Sequence, residues 1–154
     1  MRGALESLAA EAAARRIEPS ELDRLHAVLR EMRSMRPRQQ LRYLLVVDPA
    51  FHDLIASAAR MPRLRGLVAE ARMAAEIGMI LVTHEQVQGV RQISDVHQGI
   101  LDALAAHDPE AAGTAVRAHY EFRGGYWLNA WDQGTRDEVR QEGTRAPEHL
   151  ERFG

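Results

Sequence analysis

Residues 41–59 read LRYLLVVDPAFHDLIASAA, an oily stretch interrupted by a carboxylate at Asp48 and an imidazole at His52. Helical neighbours on one face lie three or four residues apart. Leu41, Leu44, Leu45, Asp48, His52 and Ile55 therefore form one stripe, with both polar groups on its buried side. Pro49 lacks an N–H and crowds the preceding turn, so it marks a kink or a restart in this helix. Two readings compete. Asp48 can be an N-cap whose carboxylate is taken by backbone N–H groups, with His52 a packed histidine. Alternatively, the pair is half of a metal site.

Outward from this segment the chain is rich in Ala, Leu, Glu, Arg, Met and Gln and poor in β-branched residues, which predicts an all-α fold. A first helix is expected over 3–16, with Leu5, Leu8, Ala9, Ala12 and Ala13 on its apolar face. A second starts at Pro19, where Glu18 and Glu21 suit a helix N-terminus. Its stripe is Leu22, Leu25, Leu29 and Met32, and Arg36-Pro37-Arg38 closes it. The third helix covers about 38–59 and breaks at Met61-Pro62. The fourth covers 62–81, with Leu64, Leu67, Val68, Ala71 and Ala75 on one face, and the fifth covers 86–106. Asp108-Pro109 then reads as an N-cap followed by proline at the first helical position, opening a sixth helix to about 131. Gly124-Gly125 is a point of bending within it. Residues 132–154 form a polar tail, with room for a short helix at 135–141 but too little apolar material for a core. The domain organisation expected is thus 1–131 and 132–154.

Composition narrows the function classes. At 154 residues and 45% apolar content, the chain suits one globular domain. No run of 18 apolar residues occurs, and no basic segment followed by an apolar one opens the chain, which argues against a membrane span and a secretory leader. There is no cysteine, so a metal would have to use His, Asp or Glu. These features together predict a cytoplasmic protein. The net charge is −2 and the pI about 6.4. All 20 basic residues are arginine, and the cluster at Arg30, Arg33, Arg36, Arg38 and Arg42 reads as a solvated helix face rather than a DNA-binding stripe.

The remaining helices repeat the pattern of the opening stretch. In the fifth, the stripe is Val90, Ile93, His97, Ile100, Leu101 and Leu104. In the sixth, it is Ala112, Ala115, Val116, His119, Phe122 and Tyr126. Three helices thus turn imidazole or carboxylate inward, where an unpaired charged group costs several kcal/mol. One divalent cation would satisfy Asp48, His52, His97 and His119 together, and this donor set suits Zn, Ni, Mn or Fe more than Ca or Mg. Periodicity alone does not decide the matter, since His26 lies equally well between Leu22 and Leu29. His84, near a helix junction, could approach such a site. His107 and His149 read as a residue before a cap and a tail residue.

The segments RGALESLAAEAAARR (2–16), DPAFHDLIASAARMPRL (48–64) and DVHQGILDALAAHDPEAAGTAVRAHYE (95–121) stand in order, with 45 residues from His52 to His97 and 22 from His97 to His119. Over about residues 2–131 the chain resembles the ligand-binding domain of GntR-superfamily transcription regulators, the FadR C-terminal (FCD) type. The resemblance implies an antiparallel bundle of six or seven helices enclosing a metal and ligand cavity. It implies a metal held by Asp48, His52, His97 and His119, with open coordination positions facing a small organic acid or sugar acid. Two departures stand out. The winged helix that precedes this domain in the family has no counterpart in these residues, so DNA would be reached through a domain not in this chain. Position 96, usually acidic, is Val96, with Asp95 one residue earlier.

The expected function is therefore a metal-dependent sensing domain, a homodimer, with Arg123, Arg72 and Arg2 as candidates to pair a ligand carboxylate. An alternative is a stand-alone metalloenzyme in which the three-His, one-Asp centre acts on a small carboxylate substrate. Glu121 and Asp53 each fall one residue off the ligand stripe, which leaves that chemistry without a general base. A third reading is a metal-free interaction module with packed histidines.

Overall fold

A computed structural model describes residues 1–35, 39, 42–82 and 90–121, without the side chains of residues 44, 74–82 and 90–94. The described residues fall in one unit, Met1–Glu121. Outside them lie the stop at 36–38, His84, Arg123, Gly124-Gly125, the extension of the last helix to 131, the 135–141 helix, His149 and the 132–154 tail. Helix α1 spans Arg2–Ala14 and α2 spans Pro19–Ser34. A π-helical turn, Tyr43–Val47, runs directly into α3, Asp48–Ala58. Then come α4, Pro62–Val82, and α5, Val90–Ala105. Residues 109–121 form α6. The described elements are thus all helical, the antiparallel bundle class expected from the sequence. Among them no helix is long and apolar enough to cross a membrane.

Most of the large apolar side chains of the core come from α2, α3 and α5: Leu25, Leu29 and Met32, Phe51 and Ile55, and Ile100, Leu101 and Leu104 are nearly inaccessible to solvent, and α2 packs on both α3 and α5. The start of α2 is fixed locally. Pro19 occupies its first turn, and the Glu18 N–H donates to Glu21 Oε2 at 3.0 Å, satisfying one of the donors a helix N-terminus leaves bare. His26 is exposed on the outer face.

The face of α1 is not the one its leucines suggest. Leu8 is 49% exposed, while Glu6, Ser7, Ala9, Ala10, Ala13 and Ala14 are buried. Small residues let α1 approach its neighbours closely. A methyl group added at Gly3 would stand 3.3 Å from the Tyr120 side chain of α6. A leucine-led face would hold those helices apart. Leu67 of α4 is likewise 50% exposed, with Leu64, Val68 and Ala71 turned inward.

The π-turn changes the register of the decisive segment. The Asp48 N–H bonds back to the Tyr43 carbonyl, five residues earlier. The wider turn rotates the preceding residues, so that Tyr43 and Val47 are buried while Leu45 is 37% exposed. Pro49 explains the position of the turn: a proline removes a donor and crowds the carbonyl four residues back, and an inserted residue relieves the crowding. Asp48 itself has helical dihedrals, φ −61° and ψ −46°. The N-cap reading of Asp48 is therefore incorrect.

Two helix ends use left-handed residues other than glycine. Arg60, φ 56°, ends α3, and its side chain reaches Glu21 Oε1 at 2.7 Å. His107, φ 52°, ends α5. The His107 N–H bonds to Leu104 O at 3.0 Å and the Asp108 N–H to Ala103 O at 3.1 Å, the paired bonds of a Schellman ending. Asp108 then caps α6 by accepting the Ala111 N–H at 3.0 Å, as its sequence context predicts.

Candidate metal centre

Three helices place the four donors. In α3, Asp48 and His52 sit one turn apart on the inner face, with Phe51 beside them. In α5, His97 lies one turn before Ile100 and Leu101. In α6, His119 continues the line of Ala112 and Val116. Asp48 is 1% exposed, His52 2%, and His97 and His119 0%. One ligand atom from each lies within 4.8 Å of the other three. The ring centroids are 5.4 Å apart for His52 and His97, 5.0 Å for His52 and His119, and 4.5 Å for His97 and His119.

Asp48 Oδ1 is the shared pole of this cluster. It lies 3.1 Å from His97 Nε2 and 3.8 Å from His52 Nε2, and accepts the Tyr43 hydroxyl at 3.4 Å. The edge of Phe51 closes one side, its ring centroid 4.9 Å from that of His97. A common ion about 2.1 Å from each donor would hold any two at most about 4.2 Å apart, so the four need draw in only slightly to share one. The donor set, nitrogen-rich with one carboxylate and no thiolate, fits a divalent transition metal.

A second carboxylate stands behind the cluster. Glu6 of α1 is 3% exposed, and its Oε2 lies 2.6 Å from His52 Nδ1. Its Oε1 accepts the Arg2 Nε–H at 2.8 Å. Burial alone would raise the Glu6 carboxyl, but His52 and Arg2 beside it outweigh burial and bring it down to about 2. Burial lowers His52 below the ordinary imidazole value, against the opposing pull of Glu6 and Asp48. Glu6 is thus an anion held by the Arg2 guanidinium against the His52 ring. Burial and the nearby Glu6 charge both push the Tyr120 hydroxyl up. The sequence places Glu6 within the opening segment that carries the family resemblance, LESLAA at 5–10, but assigns it no role. The signal available was an acid four residues after Arg2 and on the same face as Ala9, Ala10 and Ala13.

The arginine candidates fall in different places. Arg2 is tied to Glu6, and its guanidinium carbon sits 5.1 Å above the Tyr120 ring centroid. Arg72, 7% exposed, donates to the Pro49 carbonyl at 2.8 Å and so pins α4 to the start of α3. Arg123 lies outside the described residues. Asp53 is held bidentately by Arg65 at 3.0 and 2.8 Å on the outer side of α3, and Glu121 is exposed. Asp95 is also exposed and does not make good the acid absent at Val96. A groove of 770 Å³ opens at the α3–α4 junction between Asp53, Ser57, Arg60 and Arg65. None of the four donors lines it.

The FCD domain family model matches residues 1–122. The chain belongs to the FCD family. That places it among the ligand-sensing regulatory domains of GntR-type regulators. The solved structure of E. coli McbR/YncC superposes with a TM-score of 0.75 at 18% identity, covering 84% of this chain and 62% of that one. The FCD chain thus spans under two thirds of the length of that relative, and the likeness is one of fold. No curated protein matches the chain.

Proposed function

We propose that this FCD domain senses a small organic or sugar acid through a divalent transition-metal ion held by Asp48, His52, His97 and His119. The observation that carries this reading is the convergence of four buried donors from three helices within 4.8 Å. Apolar packing gives no reason to bring three imidazoles and a carboxylate to one point, and desolvating them costs free energy that a cation would offset. An ion bound there acts as a Lewis acid toward a carboxylate oxygen, and Arg2, Arg72 or Arg123 would pair the rest of the ligand. The domain would work as a homodimer in the cytoplasm and reach DNA through a separate winged-helix domain. A ligand can bias that partner only by its difference in affinity for two arrangements of the bundle.

Metal content of the untagged protein tests the reading. The expected result is one transition-metal ion per chain, lost in both His52→Ala and His119→Ala while circular dichroism shows the helices retained. Candidate carboxylates should bind the loaded protein and not the chelated one. Wild-type protein that takes up no stoichiometric metal would sink the proposal.

A further inference from the structure

We infer that Glu6 is a positioning residue for the metal site, setting the tautomer and orientation of His52 from a helix that contributes no ligand. The inference rests on the metal reading above and goes beyond its four donors. A neutral imidazole has one N–H and one lone pair, and which nitrogen carries the proton is fixed by what the other atoms around it accept. Glu6 Oε2 lies 2.6 Å from Nδ1, off the line of a hydrogen bond but close enough for its negative charge to favour a proton on that nitrogen, and as a carboxylate it cannot donate. The proton of His52 therefore belongs on Nδ1, and the lone pair on Nε2, the nitrogen on the Asp48 side at 3.8 Å. The opposite tautomer would set two lone pairs against each other at 2.6 Å and turn an N–H toward the place of the ion.

The rest of α1 keeps Glu6 in that role. Its carboxylate is fixed at the other oxygen by Arg2 Nε–H at 2.8 Å, so its direction is set before His52 is added. Arg2 in turn lies over Tyr120, the residue after His119. Gly3 leaves the room that α6 needs to bring Tyr120 there, with 3.3 Å to the position a Cβ would occupy. A buried glutamate on an alanine face has no packing value of its own. Carboxylates bonded to the outer nitrogen of a ligand histidine orient it and raise its basicity, and losing one lowers metal affinity about 10–100-fold.

The test uses cobalt(II) as probe, with affinity measured by chelator competition and the cobalt visible spectrum, on the wild-type chain, Glu6→Ala and Glu6→Gln. Wild type should bind one cobalt. Glu6→Ala should bind it about 10–100-fold more weakly with an altered spectrum, and Glu6→Gln, whose amide oxygen still accepts, should recover part of the loss. In metal-free wild type, long-range proton–nitrogen spectra should show His52 protonated on Nδ1, and in Glu6→Ala a mixture. A purely structural Glu6 would lower melting temperature without moving affinity or tautomer, and that result overturns the inference. If Glu6→Ala does not fold, Glu6→Gln and the wild-type tautomer decide: unchanged affinity, or a proton on Nε2, refutes it. Wild type that binds no cobalt removes the metal reading itself and this inference with it, whereas unchanged affinity in the Glu6 variants strikes Glu6 alone.

Discussion

A carboxylate 1% exposed beside two imidazole nitrogens is costly to desolvate unless something cationic shares the space. Asp48 already has hydrogen-bond-range neighbours in Tyr43 and His97, and a divalent cation held between the donors would offset its desolvation further. Asp48→Asn tests this directly, because the amide keeps the size and still accepts the Tyr43 hydroxyl. Metal-free Asp48→Asn should have an unfolding free energy within about 1 kcal/mol of wild type, while the gain on adding metal disappears. Urea melts with and without one equivalent of zinc would measure both. A loss of about 3 kcal/mol or more without metal, the mark of a broken buried ion pair, would instead make Asp48 a structural partner of His97.

At the scale of elements, the joint between α5 and α6 is closed by one side chain in an uncommon conformation. His107 takes a left-handed φ of 52° and its Nδ1 lies 2.8 Å from the Ala14 carbonyl at the end of α1. The backbone conformation costs a non-glycine residue about 1 kcal/mol, and the contact with an orphan helix carbonyl returns about as much. His107→Ala keeps the strain and loses the contact, so it should destabilise by about 1–2 kcal/mol. His107→Gly loses both and should stay within about 0.5 kcal/mol of wild type. Denaturant midpoints of the two variants check this; equal losses would show that the contact alone matters.

The same elements explain what the sequence made legible. Long stripes with strong apolar neighbours, such as Ile100, Leu101 and Leu104 around His97, put the three histidines on inner faces, although the same periodicity fitted His26, which is exposed; the helix starts at Pro19 and Asp108 could be read directly. The face of α1 could not, because alanine is a weak ruler: Leu8 outweighs it in any pattern yet ends exposed, and Glu6 looks like a solvent residue. The register of Tyr43–Val47 was hidden for another reason. A single inserted residue leaves the composition unchanged, and Pro49 signals that the helix must yield without saying in which direction.

For the molecule as a whole, the question is what the ion adds to a bundle that already has a core. Leu25, Leu29, Met32, Phe51, Ile100, Leu101 and Leu104 bind α2, α3 and α5 whether or not metal is present. The proposed ligands instead join α3, α5 and α6, and Glu6 brings in α1. An ion that binds only the folded chain at about 100 times its dissociation constant adds about 2.7 kcal/mol. For a chain of 154 residues, where each kcal/mol moves the midpoint by about 2–4 °C, the melting temperature should rise by about 5–11 °C and fall back on chelation. Hydrogen exchange should localise the gain. Amides of α6 and α1 should slow with metal, while those of α2, which offers no ligand and no support to one, should barely change. His119→Ala should show neither the thermal shift nor the slowing. An equal thermal shift in that variant would mean that the ion binds elsewhere on the surface, since a site shared by the four proposed donors could not lose a histidine without losing affinity.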